Sequence, residues 1–221
     1  WDGVTTRNIT GKIKVALWNE EYDSPDEPNN YGVMKWEEND EYVFIYDRYG
    51  IWKVGIDAGK ETFNLIGGRS KKYRYRYFQV DTEERYIKKG QQLIFSTFDE
   101  NNKKAGLWRA VYDGSSSVSK NLLPLHADDA HLISPVIKSK NAENYIFTME
   151  SFSEPPDLYH WYQTEEGTDG NKLSSINPQQ SQYLWGTAEL FKWKAYNGKE
   201  ATGVVYKPEN FDPKKKYPMV V

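Results

Sequence analysis

Leu93-Ile94-Phe95-Ser96-Thr97-Phe98 is a short run of aliphatic and aromatic residues that follows the polar stretch Lys88-Lys89-Gly90-Gln91-Gln92. Such a run, bounded by turn residues, reads as a β-strand. It has two companions, Tyr42-Val43-Phe44-Ile45-Tyr46 and Tyr145-Ile146-Phe147-Thr148-Met149, each again behind a charged or Asn-containing turn. Aligned on Phe44, Phe95 and Phe147, the spacings are 51 and 52 residues. The period returns one strand later at Gly50-Ile51-Trp52-Lys53-Val54, Gly106-Leu107-Trp108-Arg109-Ala110 and Asp157-Leu158-Tyr159-His160-Trp161. A polar stretch then closes each copy at Asn64-Leu65, Asn121-Leu122 and Ser175-Ile176, and Asn8-Ile9-Thr10 resembles that ending, which would put residue 1 inside a last strand. First strands are expected near Val33–Trp36, Tyr73–Val80 and Leu132–Ile137. Four strands in each unit of ~50 residues is the signature of β-propeller blades, whose two faces are covered by radial stacking.

The rest of the composition agrees with an all-β chain. Of 221 residues 15% are aromatic, including 17 Tyr and 8 Trp, too many for a disordered segment. Lys and Arg number 29 against 32 Asp and Glu, so the net charge is −3 and neither nucleic acid nor an anionic membrane is an expected partner. There is no Cys, which excludes disulfides, thiolate metal sites and a cysteine nucleophile from this chain. No apolar run approaches the ~20 residues of a membrane span. No signal peptide is visible ahead of Trp1-Asp2-Gly3-Val4.

After residue 177 the pattern changes. Asn177-Pro178-Gln179-Gln180-Ser181-Gln182 is polar, and Ala188–Ala195 and Ala201–Tyr206 flank the turn Tyr196-Asn197-Gly198-Lys199, a hairpin signal. Tyr217-Pro218-Met219-Val220-Val221 reads as the start of another strand. The expected organisation is therefore blades over residues 1–177, a linker over 178–187, and a separate unit over 188–221.

Ala188-Glu189-Leu190-Phe191-Lys192-Trp193-Lys194, Gly203-Val204-Val205-Tyr206-Lys207-Pro208 and Lys215-Lys216-Tyr217-Pro218-Met219-Val220-Val221 resemble the entry into the α/β-hydrolase domain of the prolyl oligopeptidase family of serine peptidases. Tyr46-Asp47-Arg48-Tyr49-Gly50-Ile51-Trp52-Lys53-Val54 and Ser151-Phe152-Ser153-Glu154-Pro155-Pro156-Asp157-Leu158-Tyr159 are similar to that family's propeller segments, and Ile176-Asn177-Pro178-Gln179 to its interdomain join. The resemblance implies a partial propeller of about three blades followed by the first hairpin of the hydrolase domain. It also implies a non-catalytic piece of a peptidase whose propeller gates access of short peptides to a Ser-His-Asp site. The alternative is a binding or scaffold propeller without hydrolase activity.

No G-x-S-x-G nucleophile elbow occurs, and Asp113-Gly114-Ser115-Ser116-Ser117 reads as a loop. No catalytic, cofactor-binding or metal-binding residue is assigned, and the chain alone is expected to be inactive. His126-Ala127-Asp128-Asp129-Ala130-His131 concentrates metal-ligating types, but at i, i+5 in a connecting stretch it reads as a solvated loop. His160 reads as an ordinary strand residue. Glu20-Glu21, Glu37-Glu38, Glu83-Glu84 and Glu165-Glu166 read as turn and surface carboxylates. Lys71-Lys72-Tyr73-Arg74-Tyr75-Arg76-Tyr77 alternates as a strand would, with tyrosines on one face and arginines on the other. Asn8-Ile9-Thr10 is a formal glycosylation sequon explained by strand propensity. Uncovered outer sheet faces would favour a homo-oligomer.

Overall fold

A computed structural model describes residues 3–164 and 167–220, so Trp1, Asp2, the pair Glu165-Glu166 and Val221 lie outside the described residues. The described residues form an all-β structure with three short 3-10 helices and no α-helix. Three antiparallel meanders follow one another. The first contains β1 (Val33–Glu37), β2 (Tyr42–Tyr46), β3 (Ile51–Gly55) and β4 (Thr62–Ile66). The second contains β5 (Tyr73–Tyr77), β7 (Gln91–Asp99), β8 (Ala105–Tyr112) and β9 (Leu123–Asp129), in the order β5-β7-β8-β9. The third runs β10 (Leu132–Lys138), β11 (Asn144–Glu150), β12 (Asp157–Thr164), β13 (Gly167–Lys172).

Side-chain alternation in β7 explains why the second sheet lies in the middle. Successive side chains of a strand point to opposite faces. Leu93 and Phe95, both fully buried, join Phe44, Ile51 and Leu65 of the first sheet in one apolar cluster. Ile94, 1% exposed, points the other way and joins Leu107, Val136, Tyr145 and Phe147 in a second cluster shared with the third sheet. An apolar run without polar alternation is what a strand covered on both faces requires. The sheets are also stapled at their ends: Val118 N donates to Leu65 O at 3.0 Å and Ser117 Oγ to the same carbonyl at 3.2 Å.

One strand was not legible in the sequence. β6 (Tyr86–Ile87) lies between β5 and β7 in the chain, yet it pairs parallel with β1 and makes the first sheet five-stranded, β4-β3-β2-β1-β6. Ile87 is fully buried in the first cluster, which explains why so short a pairing holds.

Several expectations are corrected. Asn8-Ile9-Thr10 is a turn and not a strand end, because Asn8 Oδ1 accepts from Thr10 N at 2.9 Å and from Thr10 Oγ1 at 3.0 Å, the local bond that competes with a ladder. Residues 3–32 hold no strand, only the bridge Trp18–Asn30. Asn121-Leu122 and Ser175-Ile176 fall just outside β9 and β13. Residues 217–220 form no strand.

The α/β-hydrolase expectation for 188–221 is also overturned. β14 (Thr187–Lys194) and β15 (Glu200–Lys207) form a two-stranded antiparallel hairpin that joins no other strand among the described residues. Asn197-Gly198 closes it, with Gly198 at φ +78°, a conformation that costs glycine nothing. None of the sheets closes into a barrel.

Candidate functional site

The chain between β5 and β7 leaves the second sheet, crosses to the edge of the first as β6, and returns. This excursion walls a cleft of about 630 Å³ whose far side is formed by Lys138 of β10 and Glu143 ahead of β11. A loop carried by rigid sheets is a common place for a site.

Glu84 organises the cleft. Its carboxylate accepts the Tyr77 hydroxyl at 2.7 and 2.8 Å and is also hydrogen-bonded by Gln91 Nε2. Its backbone carbonyl accepts Lys35 Nζ at 2.6 Å. Burial, and then the bond to Glu84, push the Tyr77 hydroxyl well above the usual tyrosine range, so it stays a donor. Across the cleft, Lys138 pairs with Glu143 at 3.0 Å, and Glu143 also takes the hydroxyl of Tyr145. Arg85 is exposed and makes no ion pair among the described residues. Carboxylates, cations and amides thus share the cleft with Tyr77 and Tyr86 and with the apolar Val80 and Ile94. Such a lining offers hydrogen-bond and charge partners to backbone amides and charged side chains beside some apolar surface.

The glutamate pairs are not all surface residues. Glu37, its side chain 12% exposed, takes the Tyr112 hydroxyl and pairs with the buried Lys53 at 3.2 Å. Burial, then this bond, raise the Tyr112 hydroxyl above its ordinary range. Glu38 lies 3.8 Å from Lys88, Glu20 pairs with Arg69 at 2.9 Å and Glu21 with Arg48 at 2.7 Å. Glu83 stands exposed on the cleft rim. The role of Glu84 left no local signal, because β6 carries it into place and two residues show no periodicity.

Tyr75 and Tyr77 pack on the first cluster, while Arg74 lies 4.9 Å over the Phe98 ring and Arg76 4.9 Å over that of Tyr46. Asp113–Ser117 is the loop between β8 and β9, with Asp113 Oδ1 accepting Ser115 N at 2.9 Å. His160 sits on β12, its Nε2 2.9 Å from Asn144 Oδ1. His126 and Asp129 lie on β9 and not in a loop, and they converge with His131 of the following turn. No helix of the described residues is long and apolar enough to cross a membrane.

No family model matches the chain, and no curated protein matches it. Among solved structures, the chain is similar to the AtxE2 isopeptidase with Astexin3-dC4 bound, at 16% identity and TM-score 0.49, covering 80% of this chain and 26% of that one. The apo form of AtxE2 isopeptidase gives 16% identity and TM-score 0.48 over the same shares. The chain spans about a quarter of the length of these structures. These findings correct the sequence resemblance. The described residues are all β, with no α-helix and no hydrolase unit, and no family model matches. The assignment as a propeller fragment of a prolyl oligopeptidase, gating its active site, is withdrawn with it.

Proposed function

We propose that this chain is a peptide-binding all-β module and that short, polar peptides of mixed charge occupy the cleft around Glu84. The carrying observation is the cleft itself: about 630 Å³, within the ~300–1,000 Å³ of ordinary ligand sites, with an acceptor held on its floor and unpaired Arg85 on its wall. An extended peptide presents alternating N–H and C=O groups, which Glu84, Gln92 and the two tyrosines can meet. Arg85 and Lys88 attract acidic side chains, and Asp81 and Glu83 attract basic ones. In the same reading the three meanders are blades stacked through the two apolar clusters, residues up to 177 form the binding body, and 178–187 link it to the hairpin. The hairpin's uncovered faces favour self-association.

Isothermal titration with pools of acidic, basic and mixed-charge tetrapeptides tests the assignment. Mixed-charge peptides are expected to bind, and Arg85→Ala to weaken them ~5–30-fold, the cost of a lost charge-assisted bond of ~1–2 kcal/mol. Failure of every pool to saturate, or binding untouched by Arg85→Ala and Glu84→Gln alike, would remove the cleft as a peptide site.

A further inference from the structure

Where the chain passes from β9 to β10, at the junction of the second and third sheets, two imidazoles and a carboxylate come together. His126 Nε2 lies 2.7 Å from Asp129 Oδ2, and His131 Nδ1 lies 2.9 Å from the same oxygen. The three donor atoms are all within 4.8 Å of one another. Asp129 is held from behind, because its Oδ1 accepts the His131 backbone N–H at 2.8 Å.

Three further observations distinguish this cluster from a chance meeting of polar side chains. His131 Nδ1 is buried and has no hydrogen bond of acceptable geometry, although Asp129 Oδ2 is only 2.9 Å away. Nitrogen and oxygen thus stand side by side without facing each other, as two ligands of a third atom do. The opposite nitrogen of that ring, Nε2, meets Glu154 Oε2 at 2.7 Å. A carboxylate on the far side of a ligating histidine is the usual device that fixes its tautomer and orientation. Finally, the His126 ring is stacked on Trp161, with centroids 5.0 Å apart and planes 11° apart, so its direction is set by packing. Gly170 makes that possible, since a Cβ there would fall 2.1 Å from Trp161 Cδ1.

We propose that His126 Nε2, His131 Nδ1 and one oxygen of Asp129 bind a divalent transition-metal ion, zinc foremost, with Glu154 as the carboxylate that positions His131. Two imidazoles and a carboxylate suit zinc, copper, nickel or cobalt, whereas calcium and magnesium prefer oxygen alone. Zinc bonds of ~2.0–2.1 Å in a tetrahedron place donor atoms about 3.3 Å apart, so the present contacts open by a few tenths of an ångström. Three protein ligands leave the fourth position to water. The ion would fasten the end of β9, the start of β10 and the loop that carries Glu154.

Titration calorimetry of Zn²⁺ into the chelator-stripped 221-residue protein tests this. One ion per chain is expected, with binding abolished by His126→Asn and by His131→Asn. Glu154→Gln is expected to weaken it ~10–100-fold, and His160→Asn to leave it unchanged. The unmodified protein supplies a readout independent of variant folding. On Zn²⁺ addition the ring nitrogen resonances should report coordination at Nε2 of His126 and Nδ1 of His131. Absence of saturable binding, binding that survives both histidine variants, or coordination confined to His160 would overturn the site.

Discussion

Glu100, in the turn after β7, accepts hydrogen bonds from Arg48 Nη2 and from the Tyr49 hydroxyl, each at 2.9 Å, and so ties the second sheet to the β2–β3 turn of the first. Burial alone would raise the Glu100 pKa, but the bonds from Arg48 and Tyr49 outweigh it and hold the carboxyl below its usual range. Burial and then Glu100 push the Tyr49 hydroxyl up to about 12. A carboxylate whose folded pKa is depressed stabilises the fold above its unfolded pKa of ~4.3, and that stability is lost as pH falls through the folded value. Glu100→Gln is therefore expected to cost ~1–2 kcal/mol at pH 7 and much less at acid pH. Urea midpoints at the two pH values measure this; an equal loss at both would show that the charge contributes nothing. Tyr77–Glu84, Tyr112–Glu37 and Tyr145–Glu143 repeat the tyrosine-to-glutamate bond. Tyr112 and Glu37 stand 75 residues apart, so nothing local marks them as a pair, and in the closer pairs, seven and two residues apart, nothing in the spacing singles the partners out.

At the scale of elements, β7 shows what the sequence made plain. The 51- and 52-residue period located β2, β7 and β11 almost to the residue, because strands buried on their faces must be apolar along their length. The strands that were misplaced lie at sheet edges. β13 reads Gly-Thr-Asp-Gly-Asn-Lys and is half or fully exposed, so it carries no apolar signal. Because Phe95 and Ile94 serve different clusters, Phe95→Leu and Ile94→Val should each cost ~1 kcal/mol and add within about 0.5 kcal/mol in the double variant. A coupling well above that, in a urea double-mutant cycle, would show the two clusters to be one. The candidate cleft was out of reach at this scale, since it is built on an excursion without periodicity. The histidine cluster was visible as residue types, but the bend after β9 that brings them together was not.

For the whole molecule, the hairpin is the least covered part. Every residue of β14 is exposed, with Phe191 at 52% and Trp193 at 43%, and Val204 and Tyr206 of β15 add to the apolar surface. A lone hairpin of this kind is marginally stable and its faces seek cover. Light scattering is expected to find self-associated protein, and truncation after Gly186 to give a monomer. A monodisperse full-length monomer well above micromolar concentration would contradict this. The strand β6 bears on a different question, that of modularity. A 51-residue repeat invites the idea that each sheet could be excised, duplicated or exchanged as a cassette. But the first sheet borrows its fifth strand from the link inside the second. A cut after Ile66 would leave behind the two residues that cover β1, and the buried seat of Ile87 would go with them. The first two repeats are thus interleaved like pages, and a cut after β9 would be no cleaner, since it would open the cluster that Ile94 and Leu107 share with the third sheet.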